Sequence, residues 1–311
     1  MKPIFLILLI LLMSLISKSY SQNMNPETLK IKSIHQLRFE NDAMYKTYGN
    51  RFEMSGIARF EDKILCISDD LYEIFELDTT AWTLRPSNLL KPKNADMDFE
   101  AIFADDSRIF LAAESGFDCI YVIKRNGTLK KIISLPEILP EFDKSNTGME
   151  AADFDGKTFY FANEGEKNSE NVIANGSVFA MDEHKKPKKL FDSEYDITDL
   201  KYSKLHDKEM LYILGRNESQ ILRYNLENGE IIIKTYKFLE KKEDMQAVFD
   251  SGKSFGMGEA LLISETEIWV GFDNGKSNLL NNNEILNQYL KTKNTEHPAM
   301  PILVIFERGD F

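Results

Sequence analysis

The sequence predicts an all-β chain folded as a five-bladed β-propeller, its ring closed by the N-terminal strand. Three observations carry that expectation. A segment beginning Ser55-Gly-Ile-Ala recurs as Glu100-Ala-Ile-Phe, Glu150-Ala-Ala-Asp, Asp199-Leu-Lys-Tyr and Glu259-Ala-Leu-Leu, at intervals of roughly 45–60 residues, as blades do. Each copy alternates short apolar runs with polar turns such as Glu61-Asp62-Lys63, Asp105-Asp106-Ser107 and Asp155-Gly156, the pattern of strands and tight turns. A spare strand lies at 28–40, around Leu29, Ile31, Ile34 and Leu37, while the last copy is one strand short and ends at Pro301–Phe306. Pairing the two would remove both exposed edges. A six-bladed ring, with a degenerate blade in 22–50, is the alternative.

Taken in order, residues 1–21 carry Lys2, an apolar run from Ile4 to Ile16 and small residues at Ser19 and Ser21, the pattern of a cleaved secretory signal. A retained anchor is the competing reading, for which the run is short. Export, secreted or periplasmic, is therefore expected, with 22–311 as one propeller domain and no linker dividing it. The full chain has 38 basic and 50 acidic residues, a net charge of −12. Such a surface excludes nucleic acid, whose phosphates it would repel, and suits cations. No membrane span is expected after signal cleavage, and the chain is expected to act as a monomer.

The copy starts suggest a metal site. In a blade the first strand leaves one face and the second returns to it, so Ser55, Glu100, Glu150, Asp199 and Glu259 should converge at one mouth of the central channel. Carboxylates on a common axis repel unless a cation or shared protons intervene. Oxygen-only ligands select a hard ion, and several carboxylates with carbonyls and water suit calcium, Ca2+, better than magnesium. The competing reading has these acids cap strand starts and accept from backbone amides of neighbouring blades.

Fourteen positions after each start, a second acid follows in four copies: Asp69, Glu114, Glu164 and Asp273; the fourth copy reaches Arg216-Asn217-Glu218 instead. Asp70, Glu166, Lys276, Asn163, Asn217 and Asn274 join this outer set. Acids beside a metal can orient water, and Arg can hold a phosphate or carboxylate. Glu114, Glu164, Asp273 and Arg216 are thus the catalytic candidates for phosphoester hydrolysis. A wet, non-catalytic ligand site or simple turn residues remain open beside that reading.

Long loops at Glu164–Gly176 and Asn274–Pro298 should rise on the same face, the second with a short helix at 283–291. Cys66 and Cys119 fall on strands of different blades and are expected as buried thiols, a disulfide being the alternative. Ser254 in Gly252-Lys-Ser-Phe-Gly256 matches the nucleophile-elbow spacing but sits between blades rather than between strand and helix. The four histidines are expected on the surface. Asn126, Asn175 and Asn217 begin sequons.

The run Ser55-Gly-Ile-Ala-Arg-Phe-Glu-Asp-Lys-Ile-Leu-Cys-Ile-Ser-Asp-Asp70 resembles the first-blade motif of the soluble calcium-activated nucleotidases, the five-bladed apyrases. Asn146-Thr-Gly-Met-Glu-Ala-Ala and Gly258-Glu-Ala-Leu also resemble phytase-like and esterase-like secreted propellers. The first resemblance implies one calcium ligand per blade at Glu100, Glu150, Asp199 and Glu259. It does not carry over nucleotide hydrolysis, since Asp199 stands where that family tends to have Ser and its acidic phosphate-handling segment is absent from 29–45. The expectation is a secreted calcium-binding propeller that hydrolyses a small anionic substrate, a phosphate ester or related ester. Its alternative is a non-catalytic propeller that binds a surface glycan or protein partner and keeps structural calcium.

Overall fold

The computed structural model describes residues 27–49, 52–91, 97–114, 118–139, 148–167, 173–182, 186–216, 219–236, 257–273, 278, 288–290 and 297–311. The described chain opens with β1 (Glu27–Thr28), β2 (Ile31–Gln36) and β3 (Arg38–Phe39), then a helix, Asp42–Tyr48. Asn41 caps that helix, its side chain accepting from the Met44 amide, which satisfies one of the N–H groups a helix start leaves open.

Five blades follow. Blade 1 is β4 (Met54–Phe60), β5 (Lys63–Ser68), β6 (Leu71–Asp78) and β7 (Thr83–Pro86); blade 2 is β8 (Phe99–Ala104), β9 (Ile109–Ala113), β10 (Cys119–Ile123) and β11 (Leu129–Ser134). Blade 3 is β12 (Met149–Phe154), β13 (Thr158–Asn163), β16 (Ser177–Asp182) and β17 (Lys188–Asp192), with a small ribbon, β14 (Glu166–Lys167) and β15 (Ile173–Ala174), between its second and third strands. Blade 4 is β18 (Asp199–Leu205), β19 (Lys208–Gly215), β20 (Gln220–Asn225) and β21 (Ile231–Thr235). Blade 5 is β22 (Met257–Ile263), β23 (Glu267–Asp273), β24 (Ile302–Glu307) and, outermost, β2. The first strands β4, β8, β12, β18 and β22 contact one another in turn and close a ring around the channel.

Position in the blade explains composition. Second strands such as Ile109–Ala113 are buried throughout, because neighbouring blades cover both of their faces, and they are apolar along their length rather than alternating. The outer strands β11 and β17 put Lys130, Lys131, Lys188 and Lys189 at the rim, where charge discourages pairing with another chain. The polar turns work as Asx turns. Asp105 Oδ1 accepts from the amides of Ser107 at 2.8 Å and Arg108 at 2.7 Å. Asp155 Oδ1 does the same for Lys157 at 2.8 Å and Thr158 at 2.6 Å. Between blades 2 and 3 the core is aromatic, with Phe103 stacked on Phe110 and Phe154 on Phe159.

Closure involves more than the single strand expected at 28–40. β2 pairs antiparallel with β24, Ile34 opposite Val304, as the ring-closing argument requires. In addition β1 runs parallel to β21 of blade 4, and β3 parallel to β7 of blade 1. One short segment thus straps three successive blades. The C-terminus reinforces the same joint: buried Arg308 donates to the Phe311 carbonyl at 2.8 Å and to the Tyr212 hydroxyl, and Tyr212 donates to the Phe311 carbonyl.

Cys66 and Cys119 form no disulfide and are buried; burial raises the Cys66 thiol far above its usual range, so it is a packing group. The surface assignment of histidines holds for His206, which is exposed. His35 and His297 instead stack on Trp82 and Tyr45, and His184 lies outside the described residues. The elbow at Ser254 also lies outside them, as do 283–287 and 291 of the helix expected at 283–291, of which Gln288 and Tyr289 are described and helical. No described helix is long and apolar enough to cross a membrane.

Candidate functional site

The first strands are irregular where the copies start. Pairing to the second strand shifts register between Met54 and Gly56, Phe99 and Ala101, Met149 and Ala151, and Gly258 and Ala260. Ser55, Glu100, Glu150 and Glu259 are therefore the extra residues of four equivalent β-bulges. A bulge turns one side chain out of the strand's alternation, and here it turns each into the channel. These four residues line one cavity of about 230 Å³, together with Glu53, Met54, Asp69, Glu164, Arg216 and Asp273.

Asp199 is not among them. It is fully buried; its Oδ1 accepts from the Leu200 amide at 2.7 Å and Lys201 Nζ at 3.0 Å, and its Oδ2 from the Leu261 amide at 2.7 Å. It caps backbone of the next blade, as does Asp153, which accepts from the Tyr202 amide at 2.7 Å. The residue that matches Ser55 is Thr198. Ser55 Oγ donates to the carbonyl of Phe99 at 2.6 Å, just before Glu100, and Thr198 Oγ1 donates to the carbonyl of Gly258 at 2.7 Å, just before Glu259. The fourth copy thus aligns one residue earlier than the repeat suggested, with a hydroxyl at the start and Asp199 second.

That shift exposes a pattern the repeat had hidden. Two residues before the start, three blades carry an acid: Glu53, Asp98 and Asp196. Asp98, Glu100 and Glu114 each bring a carboxylate oxygen within 4.8 Å of the others, half-buried, and could hold a divalent ion together. Glu114 lies behind Glu100 rather than on the cavity wall, and its Oε1 accepts from the Gly148 amide at 2.8 Å. Gly148 is required there, because a Cβ would stand 2.2 Å from Asp118 Oδ1 and 2.7 Å from Glu114 Cγ. The approach holds the start of blade 3 against Glu114 and sets where Glu150 points.

The other side of the cavity is organised by Arg216. Its Nε donates to Asp196 Oδ2 at 3.0 Å, one terminal nitrogen to Glu259 Oε1 at 2.8 Å, and the other to Glu164 Oε1. One guanidinium ties blades 3, 4 and 5. Burial works against its charge, yet Glu259, Glu164 and Asp196 together keep it firmly protonated.

Glu100 and Glu150 stand outside this arrangement: among the described residues neither accepts a hydrogen bond from a donor, and Arg216 acts on Glu150 only through its charge. Burial, then the like charges of Glu150, Asp98, Asp69 and Glu114, holds the Glu100 carboxyl well above the usual carboxylate range. Glu150 is raised likewise by burial and by Glu164, Glu114 and Glu259, with Arg216 pulling the other way. Burial raises Asp69 to about 6 and Glu259 to about 8, Arg216 moderating the latter. Seven carboxylates line the cavity against one guanidinium, so their mutual repulsion keeps protons that water would have removed. Of the remaining outer residues, Asn163 Oδ1 accepts from the Ser177 amide at 2.6 Å. Asn217, Asn274 and Lys276 lie outside the described residues, and nothing is described of the Glu166 side chain.

The site belongs to a five-bladed β-propeller with an acid-lined channel mouth. Among solved structures the chain is similar to a glutaminyl cyclase of Myxococcus xanthus, at 8% identity and a TM-score of 0.52, over 90% of this chain and 97% of that one. Looser likenesses are to a nidogen/laminin complex, at 10% identity and a TM-score of 0.45 over 70% and 71% of the chains, and to the computationally designed Ika4 protein, at 13% and 0.32 over 65% and 98%. At such identity the cyclase likeness shows the fold alone. No family model and no curated protein matches the chain.

Proposed function

We propose that the channel mouth is a divalent-cation site, with calcium the ion its chemistry selects. On this reading the chain is an exported hydrolase of small phosphate esters or related esters. The observation that carries it is the pair Glu100 and Glu150, half-buried and held well above the usual carboxylate range with no described hydrogen-bond donor, in a molecule that answers its other inward-facing acids with amides, Lys201 or Arg216. The donor set fits the ion. Glu100, Glu150 and Glu259 supply carboxylates, Asp98 and Glu114 stand behind Glu100, and Ser55 keeps acceptor lone pairs after donating its proton. Export rests on the pattern of residues 1–21.

When bound, the ion would offset the negative field and present a Lewis acid to a phosphate or ester oxygen. The remaining roles fall to this chain's own groups. Asp69 and Asp273 are the candidates to orient water, since Glu164 is committed to Arg216 and Glu114 to Gly148. Asp69, raised to about 6, would be ionised at neutral pH yet able to take a proton. Arg216 would position Glu259 and Glu164 rather than seize substrate. That same engagement favours the second reading, a non-catalytic module for a carbohydrate or protein partner. A panel of phosphomonoesters, nucleotides and phytate, assayed with calcium and then with chelator, separates them. The hydrolase reading expects calcium-dependent turnover that Asp69→Asn lowers at least tenfold; no turnover despite bound calcium would leave the binding module.

A further inference from the structure

We propose a second ligand site, for a small phosphate or sulfate ester with an apolar body, at the far end of the propeller where blades 1 and 2 meet. It does not depend on the cation reading of the mouth. A cavity of about 440 Å³ opens there, and its lining includes Lys91, Arg108, Lys124 and Arg125 and no acid. In a chain of net charge −12, a concave surface whose charged lining residues are all cations is the place where an anion gains most.

The four cations are not equivalent. Arg108 is committed: it pairs with Asp105 at 2.7 Å and lies over the rings of Phe110 and Phe154. Lys91, Lys124 and Arg125 are exposed, and no described acid pairs with any of them. They sit on two loops locked together by backbone. The Lys91 amide donates to the Gly127 carbonyl at 2.9 Å, and Gly127 adopts a φ of +78°. A Cβ there would come within 3.1 Å of both the Leu89 carbonyl and the Lys91 amide nitrogen, so another residue would push the loops apart. Asn126 Oδ1 stiffens the turn by accepting from the Thr128 amide at 3.1 Å and hydroxyl at 2.7 Å. Ordering entropy is thus largely spent before a ligand arrives.

The floor selects the rest of the ligand. Phe60, Leu89, Ile109 and Ile123 line the cavity beneath the cations, so an aryl or alkyl group gains by leaving water while its anionic head meets Lys124 and Arg125. Arginine presents a planar fork suited to two phosphate or sulfate oxygens. A bare inorganic ion forfeits the floor, a neutral ligand the rim, and a cation is repelled.

Calorimetry with phenyl phosphate and, separately, inorganic phosphate, on the full protein in chelator so that the mouth is metal-free, tests the site. The expected result is saturable one-site binding of phenyl phosphate, at least tenfold tighter than inorganic phosphate. Lys124→Glu with Arg125→Glu should weaken it at least tenfold, and both residues are exposed, so the melting temperature should stay unchanged. Phe60→Ala should narrow the preference for the aryl ester, and Glu100→Gln should leave binding alone. No saturable binding at millimolar ligand, or equal affinity in the charge-reversed variant, overturns the proposal.

Discussion

Two sets of carboxylates share the central channel, and they are treated differently. Below the mouth, Asp153 and Asp199 are each answered within the protein: Asp199 by Lys201 and two amides, Asp153 by the amides of Phe154 and Tyr202. Lys201 also donates to the Ile102 carbonyl of blade 2 at 3.3 Å, reaching across the channel. At the mouth, Arg216 answers Glu164, Asp196 and Glu259, but Glu100 and Glu150 have no described donor. Glu164 and Asp196 at the mouth are as buried as Asp153 and Asp199 below it, while Glu100 and Glu150 are half-buried, so depth does not divide the mouth from the set beneath it. The supply of donors does.

The comparison breaks first at Lys201. Lys201→Met strands Asp199 inside the channel, and losing one partner of a buried pair costs about 3–5 kcal/mol; urea unfolding at pH 7.5 should register that loss. Because burial raises Asp199 to about 7, the deficit should shrink at pH 5, where the stranded acid takes a proton. Arg216→Leu should cost about 3 kcal/mol for the same reason, again less at pH 5, since Glu259 titrates at about 8.

Removing charge from the unanswered pair should act with the opposite sign. Glu100→Gln with Glu150→Gln relieves repulsion, so the metal-free variant should melt above the parent protein at pH 8. The parent's own pH dependence is the smallest effect. The folded form holds protons on Asp69, Glu100, Glu150 and Glu259 at pH values where the unfolded chain has released them. Metal-free stability should therefore fall as pH rises from 5 to 8, and a melting series without divalent ions reads it directly.

The ring was legible in the sequence because each blade repeats short apolar runs parted by a polar turn, and three of the five start their first strand with an acid, Glu100, Glu150 and Glu259; neither feature depends on distant contacts. The gathering of Glu100, Glu150, Glu259, Asp69, Glu164 and Asp273 at one mouth followed from strand direction alone. Assigning Asp199 failed because the repeat was aligned on acid type, whereas the fold aligns hydroxyls: Thr198 and Ser55 make the same bond to the next blade. Asp196 was missed through that one-residue slip, and Asp98 because without Asp196 its position before the start is shared only with Glu53. The capture of Arg216 by three acids depends on blades 3, 4 and 5 meeting, and no local pattern announces it. The three-blade strap was half visible: alternation marks β2, but β1 and β3 are two residues each and carry too little pattern to read.

The most direct test is the melting temperature of metal-stripped protein titrated with calcium at pH 8 and at pH 5. A ligand that binds only the folded form must raise stability with its concentration, and protons compete with it for the same carboxylates. The account predicts a large upward shift at pH 8, a small one at pH 5, and almost none at either pH once Glu100 and Glu150 are both glutamine. No shift at pH 8 under saturating calcium, or an equal shift in the double variant, would contradict it.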